Sequence, residues 1–156
     1  MANNKTNSFE EAVLKNWFNN DPITGMGNAG GVLPSSVDGN LYIALFASPV
    51  VDADLEAGSF TDECSGANYT GYARVPVART TSGWTVTGSV VKNANTVGFP
   101  QSSGGTAVVT HAAVCKSLTG TTSTDMIIWG ALQNTWTITN GVTPQFATDN
   151  IIFTEQ

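Results

Sequence analysis

Short apolar runs recur along this chain from Leu41 onward, and turn-forming residues separate each run from the next. The runs are rich in β-branched and aromatic side chains, which fit a pleated, half-buried surface. Short strands at this spacing predict an all-β fold, an antiparallel β-sandwich of the jelly-roll type, instead of βαβ units. The runs are LYIALFA, YARVPVA, GWTVTG, TAVVTHAAV, MIIWGAL, NTWTIT and NIIFT.

Eight segments are predicted as strands. The segment 41–47 is almost entirely apolar, which favours a central strand buried on both faces. Asn140 and Gly141 predict a tight hairpin, because this dipeptide tolerates positive φ at both central positions of the turn. The other predicted strands are 69–78, 84–88, 90–99, 107–116, 125–132, 135–139 and 145–154.

The segment 8–19 carries the one strong helix signal. Ser8 and Glu11 have the spacing of a capping box, and Asn19-Asn20-Asp21-Pro22 is expected to end the helix. An apolar stripe at helical spacing must pack on the protein's own sheet or on a partner, and both remain open. As aromatic anchors dominate interface energetics, we predict that residues 1–20 bind a partner. The candidate partner-binding residues are Phe9, Val13, Leu14, Trp17 and Phe18.

The chain is short enough to be most simply one globular domain of 156 residues. Its composition predicts an N-terminal arm and helix over 1–22, a Gly-rich linker over 23–40 and the β-sandwich over 41–156. The linker sequence GMGNAGG does not fit a phosphate-binding loop, since no strand precedes it, no helix follows it and no GK[ST] occurs.

Charge is sparse, at 12% of residues against about 25% in ordinary soluble domains. A net charge of −6 argues against nucleic-acid binding, which needs clustered Lys and Arg; only Arg74 and Arg79 lie near each other. No apolar run is long enough to span a membrane, and we expect no secretory signal. Few ions also make burial against a protein partner less costly.

An acidic connection over 49–68 separates the first two predicted strands. Carboxylates occur at every second position, at Asp52, Asp54 and Glu56, a spacing that calcium ligands can have. The segment lacks the glycine and the distal glutamate of an EF-hand loop. We therefore expect a solvated loop that covers a partner, with no metal and no cofactor.

The residues able to do chemistry are few. His111 and Cys115 lie four residues apart on one predicted strand, which separates them by roughly 13 Å and prevents catalytic pairing. Cys64 and Cys115 are expected to be free thiols. Trp84, Trp129 and Trp136 suit the core better than a sugar-binding surface. We expect no catalytic residues and no enzymatic activity. A small hydrolase is the alternative, which a fully buried His111 with no carboxylate in a cleft would remove.

The same residues resemble a family of small virion proteins of tailed bacteriophages, labelled tail fibre proteins or capsid decoration (cement) proteins. The matching pieces follow the family's order along nearly the whole chain. They are NSFEEAVLKNWF, LYIALFAS, TGYARVPV, WTVTG, KNANTVGFP, VTHAAV, IIWGAL and TITNGVTPQFATDNIIF. The resemblance implies a β-sandwich structural protein of a virion, present in many copies and without catalysis. Segments 52–63 and 119–124 fall outside it.

This resemblance leads us to expect a capsid decoration protein that binds between major capsid protein subunits and stabilises the phage head. It would be made in the host bacterial cytoplasm and assemble as a homotrimer or homodimer. The alternative is a tail-fibre or receptor-binding component that contacts glycans. The chain has neither a heptad pattern nor a strand repeat, which a fibre shaft requires, so composition favours a compact knob over a rod.

Overall fold

The computed structural model describes residues 5–27 and 31–154. The first residues of the predicted anchor, 1–4, and residues 28–30 of the glycine-rich segment lie outside this range. The helices are α1 (Asn7–Phe18) and α2 (Asp52–Glu56). The strands are β1 (Asn40–Ala47), β2 (Val75–Ala78), β3 (Trp84–Thr87), β4 (Val90–Asn93), β5 (Val97–Gly98), β6 (Thr106–Cys115), β7 (Met126–Thr139), β8 (Gln145–Phe146) and β9 (Ile152–Thr154).

The described strands form three sheets. Four strands pair in the order β2-β1-β6-β7, three in the order β3-β4-β9, and β5 pairs with β8. The β1–β6, β6–β7, β3–β4 and β4–β9 ladders are all antiparallel. The predicted all-β class with one N-terminal amphipathic helix is confirmed, and the sheets are consistent with a sandwich. The jelly-roll order stays a prediction.

The chain forms two compact units that each combine distant segments. Unit 1 contains the described residues up to 40 together with 77–97 and 146–154, and unit 2 contains 41–76 and 98–145. The predicted division into an N-terminal arm and helix over 1–22, a linker over 23–40 and a β-sandwich over 41–156 stays a prediction. Composition reports where turns and apolar runs lie, but it does not report which distant runs pack together.

Unit 2 is built on the long strands β1 and β6. Five consecutive residues of β1, from Ile43 to Ala47, are buried, as expected for a central strand. The short helix α2 covers one face of this sheet through Leu55. The core on this face consists of Ala44, Phe46, Leu55, Ala113 and Cys115, with Phe60, Met126 and Trp129 packed against it.

Unit 1 is built on α1 and the β3-β4-β9 sheet. Helix α1 lies against β3 and β4, and its Phe18 ring meets Trp84 edge to face with centroids 4.9 Å apart. The Phe153 ring of β9 stacks on Phe18 at 6.4 Å. Of the two predicted docking modes for the helix, this is the intramolecular one.

The ends of α1 differ in part from the sequence prediction. The predicted capping box is wrong: Thr6 holds the N-cap position without a side-chain hydrogen bond, and Ser8 lies within the first turn. Glu11 instead pairs with Lys15, one turn later, at 2.7 Å. The predicted stop is confirmed, because Asn20 adopts a left-handed φ of 59° directly after the C-cap Asn19.

Three predicted strands are shorter or interrupted in the structure. Of segment 69–78 only β2 is a strand, because Tyr69 lies in a turn and its buried hydroxyl donates to the Pro100 carbonyl. Segment 90–99 divides into β4 and β5. Segment 145–154 divides into β8 and β9, between which Asp149 has a φ of 63°.

Two further differences concern turns. The segments 125–132 and 135–139 form one continuous strand, β7, with a shift of register opposite β6 where the two halves meet. Asn140 and Gly141 do form a turn, closed by the bond from Val142 N to Thr139 O. The predicted hairpin is wrong. Of the two turn residues only Gly141 has positive φ, and the next strand, β8, pairs with β5 and not with β7.

Candidate interaction surface

The five predicted partner-binding residues of α1 do not share one environment. Leu14 and Phe18 are only 2% and 1% exposed, so the packing of unit 1 already occupies both side chains. Phe9 and Val13 are half-buried. Trp17 is 44% exposed and is the only member of the set in the exposed class. The partner-binding role of the stripe stays a prediction, with Trp17 as its accessible part.

Arg79, directly after β2, holds the C-terminal end of α1. Its Nε donates to the Trp17 carbonyl at 2.6 Å, and Nη2 donates to the Asn16 carbonyl. The last carbonyls of a helix have no intrahelical donor, so a guanidinium fork satisfies two of them at once. Nη1 donates to Ser35 Oγ at 2.8 Å, which brings the segment after the helix into the same contact.

The segment 31–39 is anchored by its backbone. Asn20 Nδ2 donates to the Ser35 carbonyl at 3.0 Å while its Oδ1 accepts from the Ser35 amide at 2.8 Å. Ile23 and Val32 exchange two backbone bonds of 2.9 Å. The segment 31–39 is therefore a folded part of unit 1. Sequence reasoning missed these bonds, because an Asn side chain gives no sign of which distant amide it will bind.

Exposed apolar side chains concentrate in this part of unit 1. Five of the nine large exposed apolar residues among those described fall between positions 17 and 37. Leu33 and Val37 are 70% and 75% exposed. A backbone held by Asn20 and Arg79 presents them to solvent without the ordering cost of a flexible loop. We name this set the apolar loop surface: Trp17, Met26, Val32, Leu33 and Val37.

A buried arginine organises the loops of unit 2. Arg74 Nε and Nη2 grip the two carboxylate oxygens of Glu63 at 2.7 and 2.8 Å, and Nη1 donates to Asp125 at 2.9 Å. The remaining donors bind the carbonyls of Ser117 and Gly120, both at 2.8 Å. All five N–H groups of the guanidinium thus have acceptors, on Glu63 in the connection before β2 and on the loop 116–125 between β6 and β7.

This arginine is charged and inaccessible. Burial by itself disfavours the cation, but the hydrogen bond to Glu63 and the surrounding negative charge outweigh it and raise the pKa of Arg74 above its ordinary value. The Arg74 side chain is only 3% exposed, and its guanidinium lies 4.7 Å from the centre of the Phe60 ring. The cluster is structural: it ties the connection 49–68 to the loop before β7.

His111 lies at the rim of the same unit. Its Nε2 is 3.3 Å from Asp52 of α2, its Nδ1 bonds Thr110 Oγ1 at 2.9 Å, and its ring lies 6.0 Å from that of Trp129. None of these contacts involves a thiol. No group of three or more His, Cys, Asp and Glu among the described residues is arranged to hold a metal ion. Asp52 and Asp54, predicted to lie in a solvated loop, are part of helix α2.

The tryptophans divide between core and rim. Trp84 is fully buried, as predicted for a core residue. Trp129 and Trp136 are half-buried on β7. Trp129 contributes to the core beside α2, so most of its ring is already in contact with protein.

Both cysteines are free thiols, as expected, and both are buried. Burial raises the pKa of each thiol to about 12, and the charge of Glu63 adds to the effect at Cys64. We therefore expect the native protein to react very slowly with Ellman's reagent at pH 8, because about one thiol in ten thousand is ionised. In denaturant two thiols should react at once. Rapid native labelling, or fewer than two thiols after unfolding, would contradict the burial and the free state.

Comparison with known proteins identifies the class of protein to which this chain belongs. A family model described as podophage GP4 fiber I protein gp80 matches residues 30–154. The protein is therefore a structural component of tailed-phage particles, as the resemblance implied. More particularly, the chain belongs to the family of the podophage GP4 fiber I protein gp80. No curated protein sequence matches the chain.

Neither of the helices in the described ranges is long and apolar enough to cross a membrane.

Proposed function

We propose that this protein is a non-catalytic component of a podophage fibre, a compact module that acts by binding other virion proteins. The observation that carries the proposal is the match to a fibre protein family over residues 30–154. The side chains support it, since the one histidine is engaged by Asp52 and Thr110 and both thiols are buried. We therefore expect the protein to act through the area of its contacts with other proteins and not through a chemical reaction.

The apolar loop surface is the part of the module that we assign to partner contact. Its side chains are exposed, while Ser35 among them is hydrogen-bonded through its amide to Asn20 and through its hydroxyl to Arg79. Preorganised apolar side chains make efficient interface anchors, because little conformational entropy is lost when they are covered. The partner is a neighbouring virion protein with an apolar depression.

A charge-insertion experiment tests this contact. Phage grown with the double variant Leu33→Asp and Val37→Asp should carry at least about tenfold less of this protein, equivalent to ~1.4 kcal/mol of lost binding. The matched control is Leu118→Asp, at a leucine of unit 2 that is 48% exposed. Incorporation should be unchanged by the control. Equal incorporation of both variants, measured by quantitative mass spectrometry of purified particles, would exclude the apolar loop surface as the contact.

Electron microscopy of virions with a gold-labelled C-terminal tag tests the location. Label on the fibres is expected. Label spread over the head would instead support the capsid decoration function predicted from the sequence, with the major capsid protein as partner.

Capsid decoration remains the second candidate because the chain forms two compact units and has no shaft-like repeat. A ligand that binds only the assembled shell stabilises it by mass action. Heads lacking the protein would then break at a lower temperature than complete heads, and re-addition would restore the difference. A fibre component leaves head stability unchanged.

A further inference from the structure

The dipeptide Asn140-Gly141 occurs once in the sequence, and it combines two features that favour spontaneous deamidation. Asparagine is a thermolabile residue, because the backbone nitrogen that follows it can attack its side-chain amide. Glycine has no Cβ and leaves that nitrogen unshielded. Both residues are exposed, so water reaches the site. The local chemistry therefore predicts that Asn140 is the most reactive asparagine of the chain.

The reaction has two steps. The Gly141 nitrogen loses its proton and forms a bond to Cγ of Asn140, and the Cγ–Nδ2 bond breaks as Nδ2 takes up a proton and leaves as ammonia. The product is a five-membered succinimide ring. Water then adds to one of the two ring carbonyls and opens the ring, which gives aspartate, or isoaspartate when the backbone carbonyl is attacked. Water is the one co-reactant that these steps consume.

Hydrogen bonds of the folded turn engage the nitrogen that would attack. The Gly141 N–H donates to the Ser102 carbonyl at 2.7 Å. The Gly141 carbonyl accepts from Gln101 Nε2 at 2.9 Å, and the Ser102 amide donates to the Val142 carbonyl at 2.8 Å. Ser102 is only 1% exposed, so these bonds fix the turn to the interior of unit 2.

The conformation of the turn also opposes the reaction. Val142 N donates to Thr139 O at 3.0 Å, and Gly141 has a φ of 85°. These are the hydrogen bond and the third-residue conformation of a type II turn, in which Asn140 is the second residue. That position has a ψ of about 120°, which rotates the following nitrogen away from Cβ of the same residue. Ring closure needs this nitrogen to eclipse Cβ, so the turn must open before Asn140 can react.

We propose that Asn140 is a conformation-gated deamidation site, stable in the folded protein and modified when the turn loses its contact with Ser102. Isoaspartate adds a methylene group to the backbone between positions 140 and 141, so a modified chain no longer matches the spacing of the turn bonds. Copies whose turn has opened are thus altered covalently between β7 and β8. This inference does not depend on the partner or on where in the particle the protein lies.

Mass spectrometry of protein incubated in native buffer and in guanidinium chloride tests the site. In denaturant Asn140 should be the first asparagine modified, at least about tenfold faster than in the native protein, because only the folded chain must first open locally. Asn134, which is exposed on β7 and precedes a threonine, is the internal control and should react slowly in both states. Asn140→Gln should abolish the fast modification in denaturant.

Two further variants separate the hydrogen bonds of the turn from its sequence. Gln101→Ala removes the bond to the Gly141 carbonyl, so the native protein should deamidate faster while the rate in denaturant stays the same. Ser103→Ala, at an exposed position of the same loop between β5 and β6, should change neither rate.

Three results would overturn the proposal. The first is an equal rate of deamidation at Asn140 in native and denatured protein. The second is faster modification of a different asparagine in denaturant. The third is a Gln101→Ala variant that deamidates in native buffer no faster than Ser103→Ala.

Discussion

Replacing Arg74 with methionine is expected to lower the free energy of unfolding by about 3–5 kcal/mol, a large part of the ~5–15 kcal/mol of a typical domain. Methionine fills much of the volume but leaves the carboxylates of Glu63 and Asp125 in a buried site without their cation. The carbonyls of Ser117 and Gly120 lose their donor as well. Urea unfolding followed by circular dichroism measures the loss.

A matched control separates this effect from the general loss of a positive charge. Lys116 is exposed, and Lys116→Met should change the free energy of unfolding by no more than about 0.5 kcal/mol. Arg74→Lys keeps the charge but cannot grip both oxygens of Glu63, so its stability should fall between wild type and Arg74→Met. If Arg74→Met were as stable as Lys116→Met, the cluster would not support unit 2.

Trp84→Ala should lower the free energy of unfolding by a similar amount, about 3–5 kcal/mol, in unit 1. The substitution removes a fully buried ring and leaves a cavity beside Phe18. Trp84→Phe should cost less than about 1.5 kcal/mol. The indole N–H of Trp84 is buried and finds no acceptor among the described residues. Phenylalanine removes that unsatisfied donor, which offsets part of the lost contact area.

Trp17→Ala is the control for this pair of variants, since Trp17 is in the same unit but 44% exposed. Its effect on thermal unfolding should be small. A Trp84→Phe variant as unstable as Trp84→Ala would mean that the indole N–H makes a stabilising hydrogen bond. A Trp17→Ala variant as unstable as Trp84→Ala would contradict the burial on which both predictions rest.

Local patterns predicted much of the secondary structure. The helix at 8–19, the strands at 41–47, 84–88 and 107–116, and the stop at Asn20 all follow from periodicity, β-branched content or turn chemistry within a few residues. One of the errors has a tertiary cause. Segment 69–78 has strand-like composition, yet Tyr69 lies in a turn because its buried hydroxyl has an acceptor 31 residues away.

The candidate interaction surface was less predictable than the fold. The apolar stripe of α1 was recognised, but sequence could not tell that Leu14 and Phe18 are covered by unit 1 while Leu33 and Val37 are exposed. A loop of neutral and apolar residues resembles a linker until its hydrogen-bond partners are known. The hydrogen-bond partners of Ser35 are Asn20, which is 15 residues away in the sequence, and Arg79, which is 44 residues away.

Sparse charge, alternating apolar runs and a single amphipathic helix were enough to define an antiparallel β protein, because these properties reside in neighbouring residues. The class of virion component came from the resemblance of the ordered sequence pieces to a known family. Tertiary structure alone decided that Arg74 binds Glu63 and the loop 116–125, that α1 covers β3 and β4, and that β7 lies at an open edge. Each of these depends on segments far apart in the chain, and the contacts between such segments arise only when folding brings them together.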